Sequence, residues 1–441
     1  GRGPEVRAED LCSALVWRIA TMTDAPFAEP EPFEPDLEPA PPSEPMEVAE
    51  RTTSIARIVA LHEAALDYYS SLAARSWVPG YLRQRLGTDL SDDSRYAVGY
   101  APPGPESLIR HLTDRGVTIE ELIEAGLASE TERGRLVDSF RDRMVFPLYS
   151  GAVVVGFIGR RNPTKDTHEY TGPKYLNTRA TAAFTKGEQL FGLHEATANL
   201  EAGATPVLVE GPMDAIAIAL AGDGAYVGIA PLGTAFTESQ TAKLHDFFRE
   251  KPERIIIATD PDAAGRESAR KAFWRLAALR ANPQHLPMPE GVDPADILRA
   301  EGMSGLAKRL AESTNLAETL ISTLVEQRLA EHDDAFARVD LAREAAHIVG
   351  AIPPEQWTQW ALDLAARLDV SLPTVAEAVF EAGAWWTDDP HASAARELAM
   401  LRPRRPAGTR TQRSTPAGTT GHEFTNASVD LNPPLDRRID R

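Results

Sequence analysis

From Thr53 to about Arg85, apolar residues recur at three- and four-residue spacings, with Ile55, Ile58, Val59, Ala65, Leu66 and Tyr69 on one stripe. That period predicts an amphipathic helix, which Pro79-Gly80 interrupts. A second helical stretch is predicted over Glu106 to Leu127, with Gly116 and Gly126 as stops. Between Arg141 and Leu193 the pattern shortens to β-prone runs, Met144 to Tyr149 and Val153 to Ile158, separated by Gly, Pro and Asn. Residues 206–300 then alternate strand and helix. Strands are expected at Val207 to Val209, Tyr226 to Ala230 and Ile255 to Ala258. Helices are expected over Ala215 to Ala221, after the Thr237-x-x-Gln240 capping box, and from Ala263 to about Arg280. Such alternation predicts right-handed crossovers and a parallel sheet. Residues 305–385 read as helical throughout, with Trp357 and Trp360 on a core-facing side.

Two segments break these patterns. Asp24 to Glu50 carries nine acids, eight prolines and no Lys or Arg, which is too polar and too Pro-broken to pack, and it is expected to be a disordered acidic linker. After about Pro390 the chain turns Pro-, Thr-, Arg- and Gly-rich, with five arginines and no acid between Arg402 and Arg413, so a disordered basic tail is expected. The remaining length, within 441 residues of 43% apolar composition, suffices for two or three packed domains. A formal charge of −19 argues on average against a protein that coats nucleic acid, yet nine of those charges belong to the linker. Residues 141–190 hold eight Lys or Arg against four acids, and Tyr170 and Tyr175 interleave with Lys165 and Lys174. That mixture suits a groove that stacks bases and tracks phosphates, with an ordinary solvated surface as the alternative. No run approaches the ~18 apolar residues of a membrane span, so a soluble, cytoplasmic chain without a membrane partner is expected. The single cysteine, Cys12, can close no intrachain disulfide and build no Cys-rich zinc site, and the histidines show no ligand spacing. Any metal must therefore sit mainly on oxygen.

The α/β segment supplies that oxygen where a parallel sheet presents its ligands, just beyond the carboxyl ends of the strands. Glu210 ends the first strand, followed by Gly211 and then Asp214 at a helix start. Asp260 and Asp262 end the third strand in Thr259-Asp260-Pro261-Asp262-Ala263-Ala264-Gly265, and Asp293 and Asp296 follow in Gly291-Val292-Asp293-Pro294-Ala295-Asp296. Converging carboxylates repel each other and raise each other's pKa values unless a cation neutralises them. Mg²⁺ (or Mn²⁺) resolves this with one or two carboxylates, waters and substrate phosphates. Taken singly, each group also suits a turn or a helix start.

The strings VLVEGPMDAIAIALAG, YVGIAPLGTAFT and RIIIATDPDAAGRESARKA resemble the Toprim fold of primases, topoisomerases and some nucleases. YAVGYAPPGPESLIRHL, LIEAGL, FRDRMVFPLYS, VVGFIGRR, GPKYLNT and FTKGEQLFGLHEA, in that order, are similar to the catalytic core of bacterial DnaG-type DNA primases. The resemblance runs from about Ile55 to about Gly302. Within a multidomain α+β chain it implies a primase-type α+β subdomain with a basic ridge over 51–200 and a Toprim α/β domain over 201–302, while composition and pattern give a disordered segment over 1–50, a helical subdomain over 303–388 and a disordered basic tail over 389–441. It further implies that Glu210, Asp214, Asp260 and Asp262 are catalytic, and that Glu210, Asp260, Asp262 and Asp293 hold Mg²⁺ or Mn²⁺ and not zinc. Arg143, Arg160, Lys174, Tyr175 and Lys186 match the ridge that holds template and incoming nucleotide.

The activity so implied is synthesis of short RNA primers on single-stranded DNA from ribonucleoside triphosphates, with a replicative helicase as a further partner. Three departures qualify it. Pro212 stands where the family motif has Tyr, Ala295 stands where a late aspartate often falls, and one cysteine cannot rebuild the family's N-terminal zinc-binding template reader. A core without that reader is expected to start chains weakly. Two other readings stay open at this point: a catalytically weak scaffold that binds DNA or helicase in a plasmid, phage or mobile element, and a Toprim nuclease that uses water as nucleophile.

Overall fold

The computed structural model describes residues 53–166, 172–233 and 236–401. The acidic Pro-rich stretch with Cys12, the arginine-rich residues 402–413 and Tyr170 lie outside the described residues.

Two helices open the fold, α1 (Ile55–Ala73) and α2 (Val78–Leu86). Ser54 caps the first by accepting from the Arg57 N–H. Pro79 lies in the first turn of the second, where its missing N–H costs nothing. After β1 (Gly99–Ala101) come α3 (Ser107–Thr113) and α4 (Ile119–Glu124). The chain continues through β2 (Ala128–Glu130), β3 (Leu136–Asp138), β4 (Arg143–Ser150), β5 (Val153–Arg161) and β6 (Tyr175–Asn177). β4 and β5 form a long antiparallel hairpin in a four-stranded sheet ordered β1-β4-β5-β6. Its core joins Leu61, Ala65 and Tyr69 of α1 to Phe140, Val145 and Phe157.

The second sheet begins with β7 (Leu190–Phe191), α5 (Leu193–Glu201), β8 (Thr205–Val209), α6 (Pro212–Ala221) and β9 (Tyr226–Pro231). It continues with α7 (Glu238–Phe248), β10 (Ile256–Ala258), α8 (Ala263–Ala277), β11 (Gln284–His285), α9 (Pro294–Ala311) and β12 (Thr314–Asn315). The capping box at Thr237 and Gln240 forms as the sequence predicts. Strand order is β12-β11-β10-β8-β9-β7. β11, β10, β8 and β9 are mutually parallel, whereas the edge strands β7 and β12 run antiparallel. The expected parallel sheet is thus a parallel centre closed on both sides by two-residue strands, each from a segment next to the α/β alternation. Strands so short carry no period, which is why the sequence pattern passes over them.

Five α-helices complete the described chain: α10 (Leu316–Glu331), α11 (Ala335–Ala351), α12 (Trp357–Leu368), α13 (Leu372–Asp388) and α14 (Pro390–Met400). Residues 305–385 are therefore not helical throughout, since β12 joins the sheet, and α9 runs across position 302 with a break at Gly302 (φ 74°). Over residues 389–401 the expected disorder also gives way to structure. Asp389 caps α14 by accepting from Ala392 N, and Pro390 occupies the first turn, the one place in a helix where proline is favoured. Helix α14 packs on α8 and buries Ala394. Trp357 lies in the core shared by this bundle and the outer face of the sheet, with Trp360 packed against it. Among the described residues, no helix is long and apolar enough to cross a membrane.

Candidate active site

Strands β8 and β10 are adjacent and parallel, with Val209 opposite Ala258, so the residues that follow them leave the sheet side by side. One oxygen of Glu210 accepts the Asp260 backbone N–H at 3.0 Å, which ties the two strand ends together. The Asp-Pro-Asp turn is then fixed from the other side: Asp262 caps α8, accepting from Gly265 N at 2.7 Å. Gly265 is required there, because a Cβ would collide with the Asp260 carbonyl oxygen. Asp293 caps α9 in the same way, accepting from Asp296 N at 2.7 Å. Both aspartates are thus helix caps as well as acids, and each has a second oxygen that its cap does not use.

The electrostatics mark these acids as one group. Burial, then Asp293 and Asp260, push Asp214 up to about 8. Asp260 is raised by burial, then by Asp293 and Asp262, and Glu210 by burial and by the same pair at the end of β10. One buried oxygen of Asp214 has no hydrogen-bond partner. Like charge has therefore been gathered and left partly unmet, an arrangement that stabilises a bound cation and costs free energy without one.

Two cations face this pole. Lys174 lowers the pKa values of Glu210, Asp214 and Asp260. Arg85, which patterning does not single out, reaches from α2 to grip both oxygens of Asp293, at 2.7 and 2.9 Å, and Asp296 at 2.6 Å. A cleft of about 510 Å³ opens between the two sheets, lined by Tyr175, Asn177, Lys186, Glu210, Gly233 and Lys271 among others. The structure thus brings Lys174, Tyr175 and Lys186 toward the acids. Lys174 and Lys186 are exposed, and neither is paired with a carboxylate among the described residues.

The other two ridge residues are placed differently. Arg143 is 4% exposed, and its guanidinium donates to the carbonyls of Gly159, Pro173 and Lys174. Arg160 is equally buried, paired with Asp166 and flanked by the rings of Tyr81 at 5.6 Å and Tyr175 at 5.8 Å. Neither lies on an open surface as expected. They lie on opposite faces of a hairpin that is covered on both sides, where they hold the 173–175 segment that carries Lys174 and Tyr175. Arg85 hides from sequence reading because a basic residue in a last helical turn is ordinarily explained by the helix dipole.

The residues from 68 to 197 match the model of the DNA primase catalytic core N-terminal domain, and those from 207 to 298 match a Toprim-like model. The RNA polymerase domain of Mycobacterium tuberculosis primase DnaG, solved with double-stranded DNA, superposes with a TM-score of 0.59 at 32% identity, covering 72% of this chain and 99% of that one. The chain belongs to the DNA primase catalytic-core family. A DNA primase domain from Pseudomonas aeruginosa aligns over 73% of this core and 99% of its own chain, with a TM-score of 0.60 and 29% identity. The DNA primase of Deinococcus radiodurans is 35% identical over 284 residues, which is 62% of this chain and 46% of that protein. The chain spans less than half the length of the curated relatives it matches.

A Toprim domain in a primase core implies a divalent metal ion. The donor set fits one: every candidate is a hard carboxylate, and Asp214 offers an unpartnered oxygen. Among the described residues no three or more acids, histidines or cysteines converge tightly enough to form a closed cage.

Proposed function

We propose that this chain is a nucleotidyltransferase that joins ribonucleoside triphosphates into short RNA primers on single-stranded DNA, using Mg²⁺ or Mn²⁺. The observation that carries the reading is the gathering of unmet acids at the ends of β8 and β10, with Glu210 and the unpaired Lys186 lining one cleft and Lys174 close enough to act on the acids electrostatically. A bound divalent ion would supply the charge neutralisation that phosphoryl transfer needs more than covalent chemistry.

The protein's part is positioning. Asp260, Asp262 and Glu210 present oxygens from a turn locked by Gly265 and by the Glu210 contact to the Asp260 N–H. Asp214, raised by burial, holds a proton near neutral pH until a cation replaces it. Lys174 and Lys186 guide the phosphates of template and nucleotide, while Tyr175, braced against Arg160, offers a ring to a base. The sites of action are cytoplasmic, and a replicative helicase is the natural partner for a primer-making enzyme.

A priming assay tests this directly. The chain is incubated with single-stranded DNA, labelled ribonucleotides and Mg²⁺ or Mn²⁺, with and without an annealed primer. Short labelled RNA that requires template and metal is the expected product. No incorporation under either condition overturns the reading, and a shortened template would favour a nuclease instead.

A further inference from the structure

One face of α2 meets the two halves of the cleft in succession. Trp77 donates its indole N–H to Asp142, Tyr81 lies against Arg160, and Arg85 holds Asp293 and Asp296. These residues stand four apart, so they line one side of the helix. Helix α2 also packs on α6 and α9, the helices that carry Asp214 and Asp293. The Arg85 contact spans 208 positions to Asp293 and 211 to Asp296, and all three side chains are largely shielded from water. A planar guanidinium fork matched to two carboxylates is a strong, directional arrangement.

We propose that Arg85 is a positioning residue that serves as a built-in cation: it binds the Asp293–Asp296 pair and thereby confines divalent metal to the Glu210–Asp214–Asp260 pole. This rests on the metal-dependent reading above. The acids would otherwise form one continuous negative field, because Asp293 acts on both Asp214 and Asp260. With Arg85 in place, Asp293 has both oxygens engaged, one shared with its own helix cap. The Asp214 oxygen remains the unpartnered one. The fixed charge also opposes a divalent ion at close range, so it lowers affinity while it orders the site.

The test is Mn²⁺ binding to the full chain, followed by the electron paramagnetic resonance signal of the free ion, which needs no turnover. Arg85→Met is expected to tighten Mn²⁺ binding by roughly five- to tenfold, the effect of removing one positive charge several ångströms away. Adding Asp293→Asn to that variant should reverse the gain, and Arg85→Lys, which keeps the charge, should stay within about twofold of the parent. A residue that merely held the fold together would weaken binding when lost. Should Arg85→Met prove unfolded, Arg85→Gln carries the same expectation with a hydrogen-bond donor retained. Unchanged or weaker binding in a folded Arg85→Met or Arg85→Gln chain, while Asp260→Asn still abolishes binding, overturns the proposal and leaves the metal site standing. Mn²⁺ binding that ignores Asp260→Asn overturns the metal site and the proposal together.

Discussion

The two sheets treat charge in opposite ways. In the four-stranded sheet, Arg143, Arg160 and Arg161 are buried and occupied: Arg143 by three backbone carbonyls, the other two by Asp166. In the six-stranded sheet, the acids at the ends of β8 and β10 crowd together and raise one another. A buried ion that is fully matched acts as scaffold, since removing either partner exposes the other's desolvation cost. A set of like charges left unmatched stabilises nothing by itself and is explained by what it can bind. The difference separates residues that build this cleft from residues that work in it, although both kinds are charged and both lie in family motifs.

The largest effect should come from breaking the matched side. Arg143→Met would remove a buried guanidinium that donates to three carbonyls, at a cost of about 3 kcal/mol or more. Urea unfolding should show that loss, and single-stranded DNA binding and synthesis should fail together. Asp260→Asn should do the reverse. Ribonucleotide incorporation should fall by roughly a hundredfold or more, the scale of losing one charge-stabilising group, while strand binding stays within about twofold. The variant should also melt higher than the parent without metal, because it removes repulsion with Asp293 and Asp262. A lower metal-free melting temperature would mean that Asp260 belongs with the scaffold.

Legibility in the sequence follows the same division. The parallel centre, the long hairpin and the acid positions could be read because each has a local signature: apolar runs at βα spacing, or a carboxylate just after a strand. Long-range partnership has none. Nothing between Tyr81 and Gly87 announces that Arg85 will meet Asp293, and charge counting alone cannot tell an outward lysine from an inward arginine. Arg143 and Lys174 count equally in a basic stretch, yet one is walled in by carbonyls and the other is exposed. Edge strands of two residues fall below the length at which periodicity speaks.

Lys174 and Lys186 sharpen the comparison from the exposed side. With no carboxylate partner among the described residues, each is free to displace a counterion from a bound strand. Lys174→Ala and Lys186→Ala should each make the plot of log affinity against log salt shallower by about 0.7 for single-stranded DNA, with stability within about 0.5 kcal/mol of the parent. Fluorescence anisotropy across a salt series measures both terms. An unchanged slope in both variants would remove the lysines from the binding surface.

The smallest effect concerns a pair whose matching depends on pH. In the helical region His347 Nδ1 lies 2.9 Å from Glu397, linking α11 to α14, and that hydrogen bond holds the imidazole pKa above its ordinary value despite opposing burial. Arg396 lowers it slightly, while Glu344 supports it. A histidine raised in the folded state stabilises the fold fully below its unfolded value of about 6.5, and the contribution is lost as pH rises through the folded value. For a partly exposed pair the loss should stay below about 1 kcal/mol. Melting curves from pH 5.5 to 8.5 (roughly the range over which histidine titrates) should therefore fall slightly more for the parent than for Glu397→Gln. This change should leave Asp260-dependent metal binding untouched, because the pair satisfies itself by taking up a proton, whereas the acids of the cleft await a cation from outside. If Glu397→Gln falls with pH as steeply as the parent, His347 titrates without regard to Glu397, and the pair is not what makes the attachment of α14 depend on pH.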